Sequence, residues 1–328
     1  LAAAIPRSPA QVSAGPSCSA CHEQGQKMQG AAHAAVPCAA CHPGHEQYPH
    51  AAGAAKPSCA SCHAAVAGEN SRGVHGQAVA RGDAAAPDCA LCHGSAHEAL
   101  SPRSLGFRRK APDTCGMCHS DISEQYKASV HGQALVRGIA DAPLCTDCHG
   151  EHSILKHTLE ASPVHVGHVR ETCARCHGDL RLSRKFGLPA DRVVSFDATY
   201  HGLAARAGAQ SVANCASCHG IHLILASSDP QSTVHASNLP ATCGHCHPGA
   251  GKRFALGPIH VVEGRTEPPA VLWARWFYLV AIPVLVGGML LHNAGDWVRK
   301  VLRPRRPRAI EASADVRMFG PERIQHAL

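Results

Sequence analysis

"CTDCHGEH" spans Cys145–His152 and places two cysteines and two histidines in eight residues. Its core pattern, Cys-x-x-Cys-His, recurs at 18–22, 38–42, 59–63, 89–93, 115–119, 145–149, 173–177, 215–219 and 243–247. These nine motifs use all 18 cysteines: Cys18, Cys21, Cys38, Cys41, Cys59, Cys62, Cys89, Cys92, Cys115, Cys118, Cys145, Cys148, Cys173, Cys176, Cys215, Cys218, Cys243 and Cys246. The spacing is the attachment signature of c-type haem, in which two thiols form thioethers and the next histidine reaches the iron. The proximal ligands would be His22, His42, His63, His93, His119, His149, His177, His219 and His247.

Three other chemistries use paired cysteines. Zinc needs four ligands, which two Cys-x-x-Cys knuckles supply, but it gives no reason for a histidine after every second cysteine. A disulfide framework needs an even cysteine count but no uniform spacing. A thioredoxin-like redox pair occurs once, beside a βαβ pattern, and not nine times.

Composition agrees with a haem protein. The chain has only 6 Phe, 4 Tyr and 3 Trp, and alanine and cysteine inflate its 45% hydrophobic content. Few large side chains remain to build a core, so haem plates would template the fold. The expected fold class is mostly irregular with short α-helices, and Gly 30 and Pro 23 fit that expectation. The net charge of +7 is modest, and haem propionates would offset it, so nucleic acid is not an expected partner. Haem c is attached outside the bacterial cytoplasm, so the chain is expected to be exported. It opens at Leu1 with "LAAA", read as the edge of a removed signal.

An internal repeat is visible when the chain is laid on itself. "VHGQAVARGDAAAPDCALCHG" (74–94) matches "VHGQALVRGIADAPLCTDCHG" (130–150) at fourteen of twenty-one positions, and "YHGLAARAGAQSVANCASCHG" (200–220) is a looser copy. Each unit holds a motif, a histidine some way further on, a second motif, and a histidine just beyond it. A low-spin c haem needs a second axial ligand. After the first motif of each unit come His33, His75, His131 and His201; after the second come His45, His97, His152 and His222; His260 follows the ninth motif. That gives nine distal candidates for nine haems. His152 lies too near its own motif to fold over its own haem, so it is expected to ligate a neighbour's iron. His50, His165 and His235 are alternatives for any one of the nine, and His157, His168 and His245 are read as bystanders.

The composition changes after His260. "VLWARWFYLVAIPVLVGGMLL" (271–291) is apolar apart from Arg275 and long enough to span a bilayer. Trp273, Trp276 and Tyr278 mark one interface and Trp297 the other. Arg299, Lys300, Arg303, Arg305, Arg306 and Arg308 follow, which puts that end in the cytoplasm and the haem domain in the periplasm of a bacterial inner membrane. The organisation read from the sequence is a linker at 1–16, a nine-haem domain at 17–262, one transmembrane helix at 270–292 and a cytoplasmic segment at 293–328.

The nine motifs and the "HG…CHGxH" units resemble the membrane-anchored multihaem c cytochromes of metal-reducing and related bacteria, over roughly residues 15–325. Some of those fuse the c-type domain to a cytochrome b domain. "DVRMFGPERIQHAL" (315–328) resembles the opening of the first helix of di-haem cytochrome b subunits, which implies a haem b ligand role for His326. No b domain follows within the chain. His292, at the membrane edge, is a second candidate to face a haem b.

Two function classes compete. A multihaem enzyme, such as a nitrite reductase or hydroxylamine oxidoreductase, needs one haem with an open iron position. No Cys-x-x-Cys-Lys occurs, tyrosine is scarce and the ligand count leaves no haem short. The favoured reading is an electron carrier between the quinone pool, reached through a membrane cytochrome b or other quinone-reactive subunit, and periplasmic carriers or terminal reductases. A subunit of a haem filament is a third reading, opposed by the membrane helix. The intact mass of the purified chain, with its pyridine haemochrome spectrum, is expected to give nine covalent haems c; fewer than eight additions, or stoichiometric zinc, would overturn this.

Overall fold

A computed structural model describes residues 18–45, 49–50, 56–257, 259–260 and 269–302. The 1–16 linker, Arg303, Arg305, Arg306, Arg308 and His326 lie outside the described residues. Contacts divide the chain into two compact units, Leu1–Glu263 and Gly264–Leu328. Helix takes 54% of the described residues, and no strand occurs among them. The helices are short except at the C-terminal end, but together they outweigh the irregular backbone that the composition suggested. The extra helix lies in the arms between the motifs, such as Ala64–Arg72, Ser120–Ala128 and Leu180–Phe186.

Every motif forms a turn of helix. Cys18–Ala20, Cys38–Ala40 and Cys59–Ser61 are single 3₁₀ turns; Cys89–His93, Cys145–His149 and Cys215–His219 are five-residue α-helices; the other three motifs lie at the ends of Leu105–Gly116, Val169–His177 and Leu239–Gly244. A backbone bond from the histidine to the first cysteine closes the turn, as in His119 N–H to Cys115 C=O at 3.0 Å. The spacing i, i+3, i+4 therefore projects both thiols and the imidazole from one face. Three motif helices are capped in sequence-readable ways. Asp88 accepts from the Leu91 N–H at 2.9 Å, Asp147 from the Leu144 N–H at 2.6 Å, and Asn214 and Ser217 bond reciprocally. Their ends are fixed by Gly94, Gly150 and Gly220, whose φ of 79°, 87° and 83° stop the helix.

The arms explain the recurring His-Gly pair. Ala64–Arg72 meets Val74–Ala80, Ser120–Ala128 meets Val130–Val136, and Arg192–Asp197 meets Tyr200–Arg206, each at a sharp corner. At two corners a hydroxyl closes the turn: Ser129 donates to the Tyr126 C=O at 2.6 Å, and Thr199 donates to the Phe196 C=O at 2.6 Å. The glycine after each histidine sits against the preceding helix. A Cβ on Gly76, Gly132 or Gly202 would stand 2.0, 2.1 or 2.2 Å from the C=O of Asn70, Tyr126 or Phe196. Only hydrogen leaves room.

The protein core is small. Tyr126, Leu135, Ala142 and Leu144 form one buried cluster, with the Tyr126 hydroxyl donating to the Pro143 C=O at 2.7 Å. Units are stitched by backbone bonds at one register: Ala32 N–H to Ala99 C=O, Val74 to Ile154 and Val130 to Ile224, at 2.7, 2.8 and 2.9 Å.

The second unit contains one described helix, Pro269–Leu302, long and apolar enough to cross a membrane. It runs ten residues beyond the span read at 270–292. Its 34 residues measure about 51 Å, against about 30 Å of hydrocarbon. Arg299 and Lys300 both pair with Asp296 at its end.

Gly132→Ala is expected to cost about 1–3 kcal/mol through overpacking, measured as a lower thermal midpoint. Gly68→Ala, mid-helix with nothing within 4 Å of its Cβ position, is expected to be neutral or stabilising by up to about 1 kcal/mol.

Candidate functional site

Each motif histidine faces one other histidine. The ring centroids are separated by 5.9 Å in His22–His50, 6.2 Å in His42–His97, 6.1 Å in His63–His33, 6.1 Å in His93–His152 and 6.3 Å in His119–His75. The series continues with 6.1 Å in His149–His222, 6.2 Å in His177–His131, 6.3 Å in His219–His260 and 6.1 Å in His247–His201. No imidazole is shared between two of these pairs. Unit by unit the pattern repeats: the His-Gly histidine faces the first motif of the next unit, and the second motif's histidine faces the one just past the second motif of the next unit.

Eight of the nine distal candidates therefore face a motif histidine. His45 does not take the expected place. It stands 6.4 Å from His42, edge-on at 75°, while His42 already faces His97. It also lies 5.1 Å from His50, which holds the position opposite His22. The repeat explains the exchange. A histidine in this position reaches back to the preceding unit, and His45 belongs to the first. No sequence signal separates His45 from His50 except this counting of units.

Four of the remaining histidines make local contacts. The His165 Nδ1 accepts from the Gly167 N–H at 3.3 Å, and the His235 Nδ1 accepts from the Ser237 N–H at 3.3 Å. Both rings close turns over the buried Ser162 and Ser232. His168 rests 6.0 Å from His165, and His245 bonds the Thr242 C=O. His292 lies on the apolar helix of the second unit.

Burial favours the neutral form of eight of the paired rings, the state in which Nε2 can bind a metal. It holds His75, His93, His149, His177, His219, His222 and His260 below the ordinary imidazole value, and His131 down to about 4. Four distal rings have a polar partner at Nδ1. His33 donates to the Ala96 C=O at 3.2 Å, His97 meets the Ser95 hydroxyl at 3.4 Å, and His260 meets the Ser195 hydroxyl at 3.0 Å. The Glu69 carboxylate stands 3.8 Å from the His152 Nδ1. The Ser195 hydroxyl also reaches the Arg192 C=O at 3.0 Å.

The cysteines run in sequence order. Thiol hydrogen bonds join Cys18 to Cys38, Cys59 to Cys89, Cys115 to Cys145 and Cys173 to Cys215. Cys92 lies in electrostatic range of Cys115, Cys148 of Cys176, and Cys218 of Cys243. The hydrogen bond from Cys145, and after it the backbone, holds Cys115 down to about 7 against the opposing effect of burial, while Cys145 and Cys173 are pushed up by the same bonds and by burial.

Among the described residues no group of three or more His, Cys, Asp or Glu side chains could hold a metal ion. What the chain offers is pairs. A metal–imidazole bond is about 2.0–2.1 Å, so two rings facing across one ion stand roughly 6 Å apart, centroid to centroid. Two axial nitrogens and two thiols per motif fit a haem, whose macrocycle brings its own four nitrogens. No protein-family model, curated protein or solved structure matches the chain.

Proposed function

We propose that the chain is a membrane-anchored nine-haem cytochrome c that carries electrons between the membrane quinone pool and periplasmic acceptors. The observation that supports it is the set of nine imidazole pairs, one for each Cys-x-x-Cys-His motif, all within 5.9–6.3 Å. Haem, when bound, supplies a one-electron iron couple. The chain's residues do the rest. The cysteines attach each group, and thioether formation removes the thiol protons that compete within the array. The paired histidines would hold each iron between them, with His50 and not His45 opposite His22. An iron held on both sides would exclude small ligands, which leaves electron transfer as the available chemistry. The sequence-ordered run of motifs makes neighbours of successive sites.

The helix Pro269–Leu302 supplies the membrane anchor in this reading, with the haem unit periplasmic and the basic end cytoplasmic. The quinone-side partner is a cytochrome b or similar quinone-reactive subunit, and His326 would serve a haem b if such a domain follows. Electrons move one at a time from the partner into the array, and one leaves at the acceptor for each that enters.

Electron paramagnetic resonance of the purified protein is expected to show low-spin haem throughout. His50→Ala is expected to add one high-spin centre, and His45→Ala none. A high-spin signal in the unmodified protein, or tight nitrite binding, would favour an enzyme instead. Cutting the protein after Arg308 is expected to stop menaquinol-dependent reduction in membranes while nine haems remain; equal rates would remove the role of 309–328.

A further inference from the structure

One position recurs beside the distal ligands. Glu69 stands six residues before His75, and Ser195 six residues before His201. Glu69 lies on the helix Ala64–Arg72 and reaches the Nδ1 of His152, which faces His93, the second motif of its unit. Ser195 lies on Arg192–Asp197 and reaches the Nδ1 of His260, which faces His219, again the second motif of its unit. The two contacts are therefore the same contact in different units. The backbone stitches from Ala32, Val74 and Val130 fix this register independently. In the unit between them the position is Gln125, on Ser120–Ala128, and the matching distal ring is His222. In the first unit the position is Lys27, but there the matching ring, His97, has the Ser95 hydroxyl at its Nδ1, at 3.4 Å.

The three residues differ in charge: a carboxylate, an amide and a hydroxyl. The rings of the matching second-motif pairs meet at interplanar angles of 17°, 16° and 38°. An anion near Nδ1 makes the imidazole a stronger donor and stabilises the more positive, oxidised metal. Neutral amides and hydroxyls do so less.

We propose that the residue six before each His-Gly histidine is a potential-setting position for the second haem of its unit, so that Glu69, Gln125 and Ser195 give three haems three different potentials. These are positioning residues, since they act through His152, His222 and His260 and do not touch iron. The proposal rests on the nine-haem reading. It deepens that reading by making the array uneven: the haem beside Glu69 sits lowest of the three.

The test is a reciprocal exchange, Glu69→Gln and Gln125→Glu, in the full-length holoprotein. Both side chains are exposed, so the fold is expected to persist. Redox titration followed by haem absorbance is expected to show one of nine components moving to higher potential in Glu69→Gln, and one moving lower in Gln125→Glu. The shifts shrink in high salt, because Glu69 is 49% exposed. Glu124→Gln, one residue from the position on the same helix, is expected to move none. Unmoved titrations in both exchanges, or an equal shift in Glu124→Gln, would overturn the proposal. Intact mass and low-spin spectra of the same samples report on the haem reading separately: nine low-spin haems with unmoved potentials overturn only the tuning position.

Discussion

Two imidazoles held about 6 Å apart by segments distant in sequence are the constraint around which the first unit is arranged. His93 and His152 are separated by a complete repeat, as are His149 and His222. Neither ring could find its partner by local folding. The corner helices, the glycine behind each arm histidine and the backbone bonds between units all serve that placement. Val130–Val136 approaches Ser120–Ala128 closely because Gly132 has no side chain, and that approach sets His131 opposite His177.

The scarcity of ordinary core follows from the same arrangement. A domain of this length would normally bury many large side chains. Here the buried hydrophobic residues among those described are Ala99, Tyr126, Leu135, Ala142, Leu144 and Phe196, and several large apolar side chains lie exposed near the motifs, including Leu91, Met117 and Leu203. In the nine-haem reading these surfaces meet the macrocycles, which supply the apolar area that the sequence lacks. Of the fully buried polar groups, Ser129 and Ser162 belong to a corner and a turn, where their hydroxyls bond backbone, while Ser183 lies within the helix Leu180–Phe186.

Much of this was legible in the sequence. The motif spacing put two thiols and an imidazole on one face of each turn, because a helical turn makes i, i+3 and i+4 neighbours. The repeat exposed the distal candidates, and the closeness of His152 to its own motif pointed to a partner elsewhere. Two things were not legible. The exchange of His45 for His50 depends on which unit has a predecessor, a property of the whole array and not of either local stretch. The reason for the His-Gly pair was also hidden, since Gly76, Gly132 and Gly202 meet backbone from six residues upstream and nothing in their composition announces that contact. The helical arms were underestimated because glycine and proline, counted over the whole chain, gather at corners and loops and leave stretches such as Ala64–Arg72 intact.

The alternation of partners has a consequence in time. In the nine-haem reading, a chain threaded across a membrane from its N-terminus would deliver His33 before His63, His75 before His119, His131 before His177 and His201 before His247. Those four motifs would emerge with their second imidazole already waiting. His22, His42, His93, His149 and His219 would emerge the other way, each waiting for His50, His97, His152, His222 or His260 to follow. Four of the nine pairs would thus be complete as their motif appears and five only later, so the order of export and the order of maturation would differ by a lag written into the repeat.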